Sequence, residues 1–425
     1  MGTDLAMTLA RRHFAVNGAD LVVEGHRVRD LAHHYGTPLY IYSGTVMRTA
    51  YRRLAAALAG FAAIHFSVKA NPDPGVIGVF LSEGAGVEIA SIGEYRRARA
   101  AGAAPERIVF AGPAKRPAEL QAVLAAGIGE IHVETVEELD RLEAIGQALE
   151  KQVPIAIRVN PVAAAQGGAM RMGGKPSPFG FDEETLPEVV EAVAARRHLQ
   201  LAGVHIFSGT QILDAAVLLA QWDHGLDIAE RVAARAGHAL ASIDLGGGLG
   251  IPYYDGDAAL DLTALAQGIA ALSRRQQASP AIRSARIVVE PGRFLVGEAG
   301  LYVVAVNAVK RSRGSTFVLT DGGMHHHLAA SGNLGQVIKR DYPLLASARL
   351  ADPPHAAPVS VVGPLCTPLD TLARRASLPP LAAGDLVAVL QSGAYGPSAS
   401  PTAFLSHPPP TEVLIDNGAA RQLTP

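Results

Sequence analysis

Residues 61–112 read FAAIHFSVKANPDPGVIGVFLSEGAGVEIASIGEYRRARAAGAAPERIVFAG. The stretch opens on a β-favouring run, 61–67, and returns to one at 87–90 and again at 107–112. Between the last two lies an Ala/Glu/Arg-rich segment, 92–101, with apolar residues at helical spacing. Working outward, the alternation continues with β runs at 130–134, 154–160, 201–207, 241–247 and 285–290, and helical segments at 135–150 and 212–236. Eight β/α units ending near Val296 have the pattern and size of a parallel (β/α)8 barrel of the TIM type. A doubly wound open sheet produces the same alternation, and periodicity does not separate the two.

The flanks read differently. Residues 14–23 suggest a hairpin with its turn at Asn17-Gly18. After Gly300 come short β runs at 301–309, 316–320, 359–362, 386–390 and 411–415, broken by Pro- and Gly-rich turns. The expected organisation is N-terminal strands over 1–40, a barrel over 41–296 and an all-β domain over 297–425, which the N-terminal strands join.

Composition narrows the function classes. The 425 residues are 49% hydrophobic, and Lys+Arg minus Asp+Glu is 37 − 39 = −2. A phosphate-binding face normally leaves a basic excess, so nucleic acid is not the expected partner. The longest apolar stretch, 54–64, is too short to span a bilayer, and no membrane partner is expected. One cysteine, Cys366, excludes an internal disulfide and fits a reducing, cytoplasmic setting. A small-molecule substrate is the expected partner.

In a parallel barrel, functional groups collect where strands end. The first β run leads into Phe66-Ser-Val-Lys-Ala-Asn-Pro72, which puts Lys69 at the rim. A rim lysine is usually a solvated charge, but in a partly desolvated mouth it can form a Schiff base. The seventh ends in Asp244-Leu-Gly-Gly-Gly-Leu-Gly250, whose backbone N–H groups could wrap a phosphate at a helix N-terminus. This is not the dinucleotide fingerprint, because Ile251 stands where its third glycine belongs. The eighth ends in Glu290-Pro-Gly-Arg293. A carboxylate, a phosphate cradle and a rim lysine together suit pyridoxal 5'-phosphate, which has a ring nitrogen, a phosphate and an aldehyde.

The motif series Val68-Lys-Ala-Asn, Gly246-Gly-Gly, Glu290-Pro-Gly-Arg, Gly363-Pro-Leu-Cys-Thr and Gly393-Ala-Tyr-Gly resembles that of the alanine-racemase-fold (fold type III) decarboxylases, which act on diaminopimelate, ornithine or arginine. The resemblance implies a pyridoxal-phosphate barrel plus a β domain, in a homodimer with shared sites. It makes Lys69 the Schiff-base lysine, Glu88 the acid behind it and Glu290 the partner of the ring nitrogen. Gly246, Gly247, Gly248, Gly292, Arg293 and Tyr395 match phosphate or carboxylate contacts. Cys366 matches a thiol that the neighbouring subunit lends to reprotonate the substrate carbon, and Asp370 an acid in the same segment. By residue type alone, Cys366 would be a small core residue.

Departures from the pattern concern the ring face and the substrate end. The family's ring-stacking histidine belongs to His-x-Gly-Ser. Here the run is His205-Ile-Phe-Ser-Gly-Thr-Gln211, which places Phe207 over the ring, Thr210 at the serine position and His205 deeper. A strand bulge would invert the two. Diaminopimelate enzymes hold the distal carboxylate with an arginine after Asp-x-Gly-Met and the distal amine with a glutamate after the cysteine. This chain has no arginine between Asp321 and Lys339, and Thr367 follows Cys366. Unpaired distal charges would make diaminopimelate a poor substrate.

The segments 363–372, 391–401 and 404–408 resemble a branch acting on carrier-protein-tethered glutamyl groups, together with exosortase-associated decarboxylases, and put Phe404 at the substrate. His326 is expected to replace the lost arginine. Three consecutive histidines, 325–327, do not converge on a metal if they lie on a strand, and no metal is expected. Diaminopimelate decarboxylation, a racemase of the same fold and a non-catalytic regulator remain as rivals.

Overall fold

The computed structural model describes residues 5–162, 170–171, 176–334, 336 and 339–423. By their contacts these form two compact units: Tyr51–Ile251 with Ala258–Phe294, and Met1–Ala50 with Pro252–Asp257 and Leu295–Pro425.

The first unit is the barrel. Its strands are Ala62–Ser67, Gly86–Ile89, Ile108–Phe110, Glu130–Val133, Val153–Asn160, Leu199–Ile206, Ser242–Asp244 and Arg286–Val289, each parallel to its neighbours. Closure decides against the open sheet: the eighth strand pairs with the first, Val288 opposite Ala63, and the fourth with the fifth, Ile131 opposite Ile155. A two-residue strand, Phe181–Asp182, adds to the outer end of the fifth. Val, Ile and Phe dominate these strands because both faces are buried, as a closed parallel sheet requires. Helices between them start on side-chain caps; Asp73 accepts from Gly75 N at 2.7 Å, and Thr135 from Glu138 N at 3.2 Å.

The second unit is built on one long strand, Gly300–Ser312. Its first half pairs with Leu39–Ser43 and Leu386–Val389, its second half with Ser315–Thr320. Leu39–Ser43 is buried throughout and also pairs in parallel with Thr411–Asp416.

The N-terminal expectation is corrected in detail. The hairpin Ala15–Asn17/Asp20–Val23 forms with its turn at Gly18, but with His26–Arg27 it makes a separate three-stranded sheet. It packs on the β unit through Leu21 and Val23 and through Leu21 N–H to Ser347 O at 2.8 Å. The N-terminal strand that enters the main sheet is Leu39–Ser43. Strands Leu344–Ala346, Thr371–Ala376 and Ala419–Gln422 and the helix Leu5–His13 were not legible in the sequence. Among the described residues no helix is long and apolar enough to cross a membrane.

Candidate active site

The barrel strands deliver their polar ends to one region. The first strand runs into a single 3-10 turn, Val68–Ala70, that carries Lys69. Its Nζ lies 3.0 and 3.2 Å from the carboxylate oxygens of Glu88, on the second strand. Glu88 is 1% exposed and also accepts from Ser67 Oγ, whereas the Lys69 side chain is 45% exposed. The amine is therefore backed by a buried carboxylate on a side chain that is nearly half exposed.

Two strands away, past the eighth, lie the glycines. Gly246 has φ +68°, and a Cβ there would stand 2.4 Å from the carbonyl oxygen of Ile206. A Cβ on Gly247 would stand 2.4 Å from that of Glu290. Only a residue without a side chain lets this loop lie against the ends of the sixth and eighth strands. The loop is stitched to the segment after the sixth strand by Ile212 N–H to Gly248 O and Gly250 N–H to Ile212 O, both 2.9 Å. Thr210 lies in that segment. The helix N-terminus expected after the triplet is absent: the next helix begins only at Leu262, because residues 252–257 leave for the other unit. A four-residue helix, Arg293–Val296, instead follows Gly292, whose Cβ would stand 2.9 Å from that of Ala70 beside Lys69.

Glu290 closes the eighth strand, 5% exposed, and among the described residues its Oε1 has no hydrogen-bond donor. Its Oε2 is 3.4 Å from His205 Nε2, too misaligned for a hydrogen bond. Burial pushes this carboxyl up, but His205, His132 and Lys69 outweigh it and hold it well below the usual carboxylate range. His205 is itself lowered to about 4, chiefly by burial, and its ring packs on that of His132 at 4.3 Å. Phe207, half-buried, lies outward of them: its ring would be 3.2 Å from a Cβ on Gly246. The sixth strand does bulge, but between Leu201 and Gly203, before both residues, so their relative placement is unchanged.

Sequence reasoning missed three buried participants: His132, Asp244 and Arg158, the last paired to Glu134 at 2.7 Å. It also missed Glu94, near Lys69, which burial raises to about 7. A nitrogen of His132, a nitrogen of His205 and a carboxylate oxygen of Glu290 lie within 4.8 Å of one another, a single buried cluster at the strand ends.

A buried carboxylate oxygen without a donor, a cradle that any Cβ would fill and a backed amine fit the ring nitrogen, phosphate and aldehyde of pyridoxal phosphate. The family model for the pyridoxal-binding domain of pyridoxal-dependent decarboxylases matches residues 45–297. The chain belongs to this family. The decarboxylase is 36% identical over 391 residues to the L-glutamyl-[BtrI acyl-carrier protein] decarboxylase of Niallia circulans, covering 92% of this chain and 91% of that one. It is 31% identical over 419 residues to the diaminopimelate decarboxylase of Zymomonas mobilis, covering 95% and 93%. Among solved structures, AQ1208 from Aquifex aeolicus superposes with a TM-score of 0.84 at 29% identity, covering 98% of this chain and 96% of that one. The decarboxylase is thus a pyridoxal-phosphate carboxy-lyase.

The remaining expected residues lie in its β unit. Cys366 is exposed on a loop before Thr371–Ala376, with Thr367 half-buried beside it and Phe404 44% exposed. Tyr395 is half-buried with a left-handed φ of 54°. Two of these residues are held by hydrogen bonds inside their own unit. Asp370 is 2% exposed, and its oxygens accept from Met324 N at 2.6 Å and Leu365 N at 2.8 Å. It braces the Cys366 loop and offers no open substrate contact within its unit. His326 is 1% exposed, its Nε2 is 2.9 Å from Pro408 O, and Tyr302 Oη is 3.3 Å from its Nδ1. The triplet lies in turns tied by His326 N–H and His327 N–H to Gly323 O, not on a strand, so the rings turn inward.

Proposed function

We propose that this decarboxylase removes the α-carboxyl group of an amino acyl group whose distal end is tied into a conjugate, such as a glutamyl group on a carrier protein, and not that of free diaminopimelate. The observation that carries this is the missing distal clamp: no arginine lies in 321–338, Thr367 follows Cys366, and His326 and Asp370 are internally occupied. Free distal charges would meet no partner there, and leaving them desolvated is costly. The Niallia circulans relative, by name a decarboxylase of a carrier-bound glutamyl group, supports the same reading.

When bound, pyridoxal phosphate would supply an electron sink for the pair freed as carbon dioxide leaves. Lys69 would hold its aldehyde until the substrate amine displaces it, with Glu88 and Ser67 fixing the lysine's position. Glu290 would keep a proton on its ring nitrogen. Gly246, Gly247, Gly248, Gly292 and Arg293 would take the phosphate, with Thr210 beside them, and Phe207 would cover the ring outside His205. Residues 41–296 carry the cofactor, and 297–425 with 1–40 present Cys366 to a second copy, where its thiol returns a proton to the substrate carbon. The lone thiol fits a cytoplasmic homodimer.

The test is carbon dioxide release from free meso-diaminopimelate, free glutamate and glutamyl-carrier protein. Turnover on the carrier-bound substrate alone is expected; efficient turnover of diaminopimelate overturns the proposal.

A further inference from the structure

Asp244 closes the seventh strand, is 2% exposed, and has no part in the chemistry above. Its Oδ1 accepts from Gly246 N–H at 2.8 Å, while Gly246 O accepts from Glu290 N–H at 2.8 Å. The first glycine of the cradle is thus gripped on one side by the Asp244 carboxyl and on the other by the backbone of Glu290. The second oxygen, Oδ2, finds no hydrogen-bond donor among the described residues, and the Glu290 carboxylate is the acceptor that a proton carried on Asp244 would meet. It lies 4.0 Å from His132 Nε2, which is itself 3.2 Å from Glu130 Oε1. Glu130 also accepts from Ser242 Oγ.

Two facing carboxylates, Glu290 and Glu130, and one imidazole, His132, thus surround Asp244, with His205 behind His132. A third ionised carboxylate in this dry region would carry an acceptor oxygen with no donor, at a cost larger than that of a neutral acid. Burial first, and then the charge of Glu290, push the Asp244 carboxyl well above its usual range.

We propose that Asp244 is a positioning residue that works with its proton on, joining the Gly246 end of the phosphate cradle to the Glu290 end of the ring site. Ionised Glu290 and neutral Asp244 then share one negative charge, and the cradle keeps its shape while that charge stays at Glu290. This rests on the pyridoxal-phosphate reading of the site.

Two measurements test it. Asparagine copies a neutral acid, with one acceptor for Gly246 N–H and one donor. Asp244→Asn is therefore expected to bind pyridoxal phosphate within about threefold of wild type, and Asp244→Ala to lose at least about tenfold. The loss in Asp244→Ala should be smaller for pyridoxal, which lacks the phosphate. Equal damage in both variants, or none in Asp244→Ala, overturns the proposal. Infrared spectroscopy of the cofactor-free protein at pH 7 covers the case in which Asp244→Ala does not fold. Loss of protonated-carboxyl carbonyl intensity in Asp244→Asn, beyond what Glu94 contributes, supports the proposal, and a spectrum there unchanged from wild type overturns it. Failure of wild type to bind pyridoxal phosphate at all sinks the parent reading and leaves the infrared result standing by itself.

Discussion

Gly247→Ala probes the cradle with the least chemical change. The added Cβ would sit 2.4 Å from the backbone oxygen of Glu290, against roughly 3.3 Å for an ordinary carbon–oxygen contact, a shortfall of about 0.9 Å. Both sides of the clash are main chain, so no rotamer change relieves it. Overpacking of this kind costs about 1–3 kcal/mol. Because the atom struck belongs to Glu290, the strain falls on the phosphate loop and the ring partner together. If it appears wholly in binding, affinity for pyridoxal phosphate drops roughly 5- to 150-fold. The assay is titration of cofactor-free protein, followed by visible absorbance, beside thermal melting. Gly78→Ala is the control. That position lies inside the helix Pro74–Ser82 with nothing within 4 Å of its Cβ. It should gain about 0.5–1 kcal/mol of stability and leave binding unchanged. Gly247→Ala protein that binds within twofold of wild type and melts normally would refute the cradle.

Three further outcomes are expected. Lys115→Met should destabilise the chain by about 3–5 kcal/mol in urea unfolding, because it leaves Glu138, 2.6 Å from Lys115 Nζ and buried with it, without its counter-charge; a loss under about 1 kcal/mol argues otherwise. Glu94 has its carboxyl raised by burial from 4.5 to about 7, so folding takes up a proton and this group's contribution to stability falls as pH rises from about 4.5 to 7. Glu94→Gln should remove that slope, and its melting point relative to wild type should climb across that window, a flat difference refuting the assignment. Mixing inactive Lys69→Ala and Cys366→Ala proteins should restore up to about a quarter of wild-type carbon dioxide release, since a mixed dimer would hold one intact site; no recovery after subunit exchange argues that Cys366 acts within its own chain.

The barrel was legible because its strands are buried on both faces and written in Val, Ile and Phe. Seven of the eight runs lie within two residues of the strands formed at both ends, and the seventh, 241–247, overruns Ser242–Asp244 by three residues of the glycine loop. Three strands of the β unit escaped for different reasons. Thr371–Ala376 carries two arginines, Ala419–Gln422 is an edge strand, and Leu344–Ala346 has three residues. The rim residues announced themselves by position at strand ends. His132 and Asp244 did not, because their roles depend on which side chains share a layer inside a closed barrel, and that is a matter of register between strands far apart in sequence. His326 was singled out by what its segment lacks, an arginine, and residue type does not announce the turn at Gly323 that buries its ring.

Leu39–Ser43 imposes an order on the making of this protein. Its two strand neighbours, Gly300–Ser312 and Thr411–Asp416, are synthesised far later. At about 5–20 residues per second, a fully apolar-packed segment waits roughly tens of seconds on the ribosome with both its edges bare. The barrel can close in that interval, but the β unit cannot. The nascent chain is therefore exposed to strand-swapping with its neighbours on a polysome, and to chaperone capture, at this one segment. A C-terminal truncation that removes Thr411–Asp416 would leave one of that segment's two edges permanently bare without touching a catalytic group.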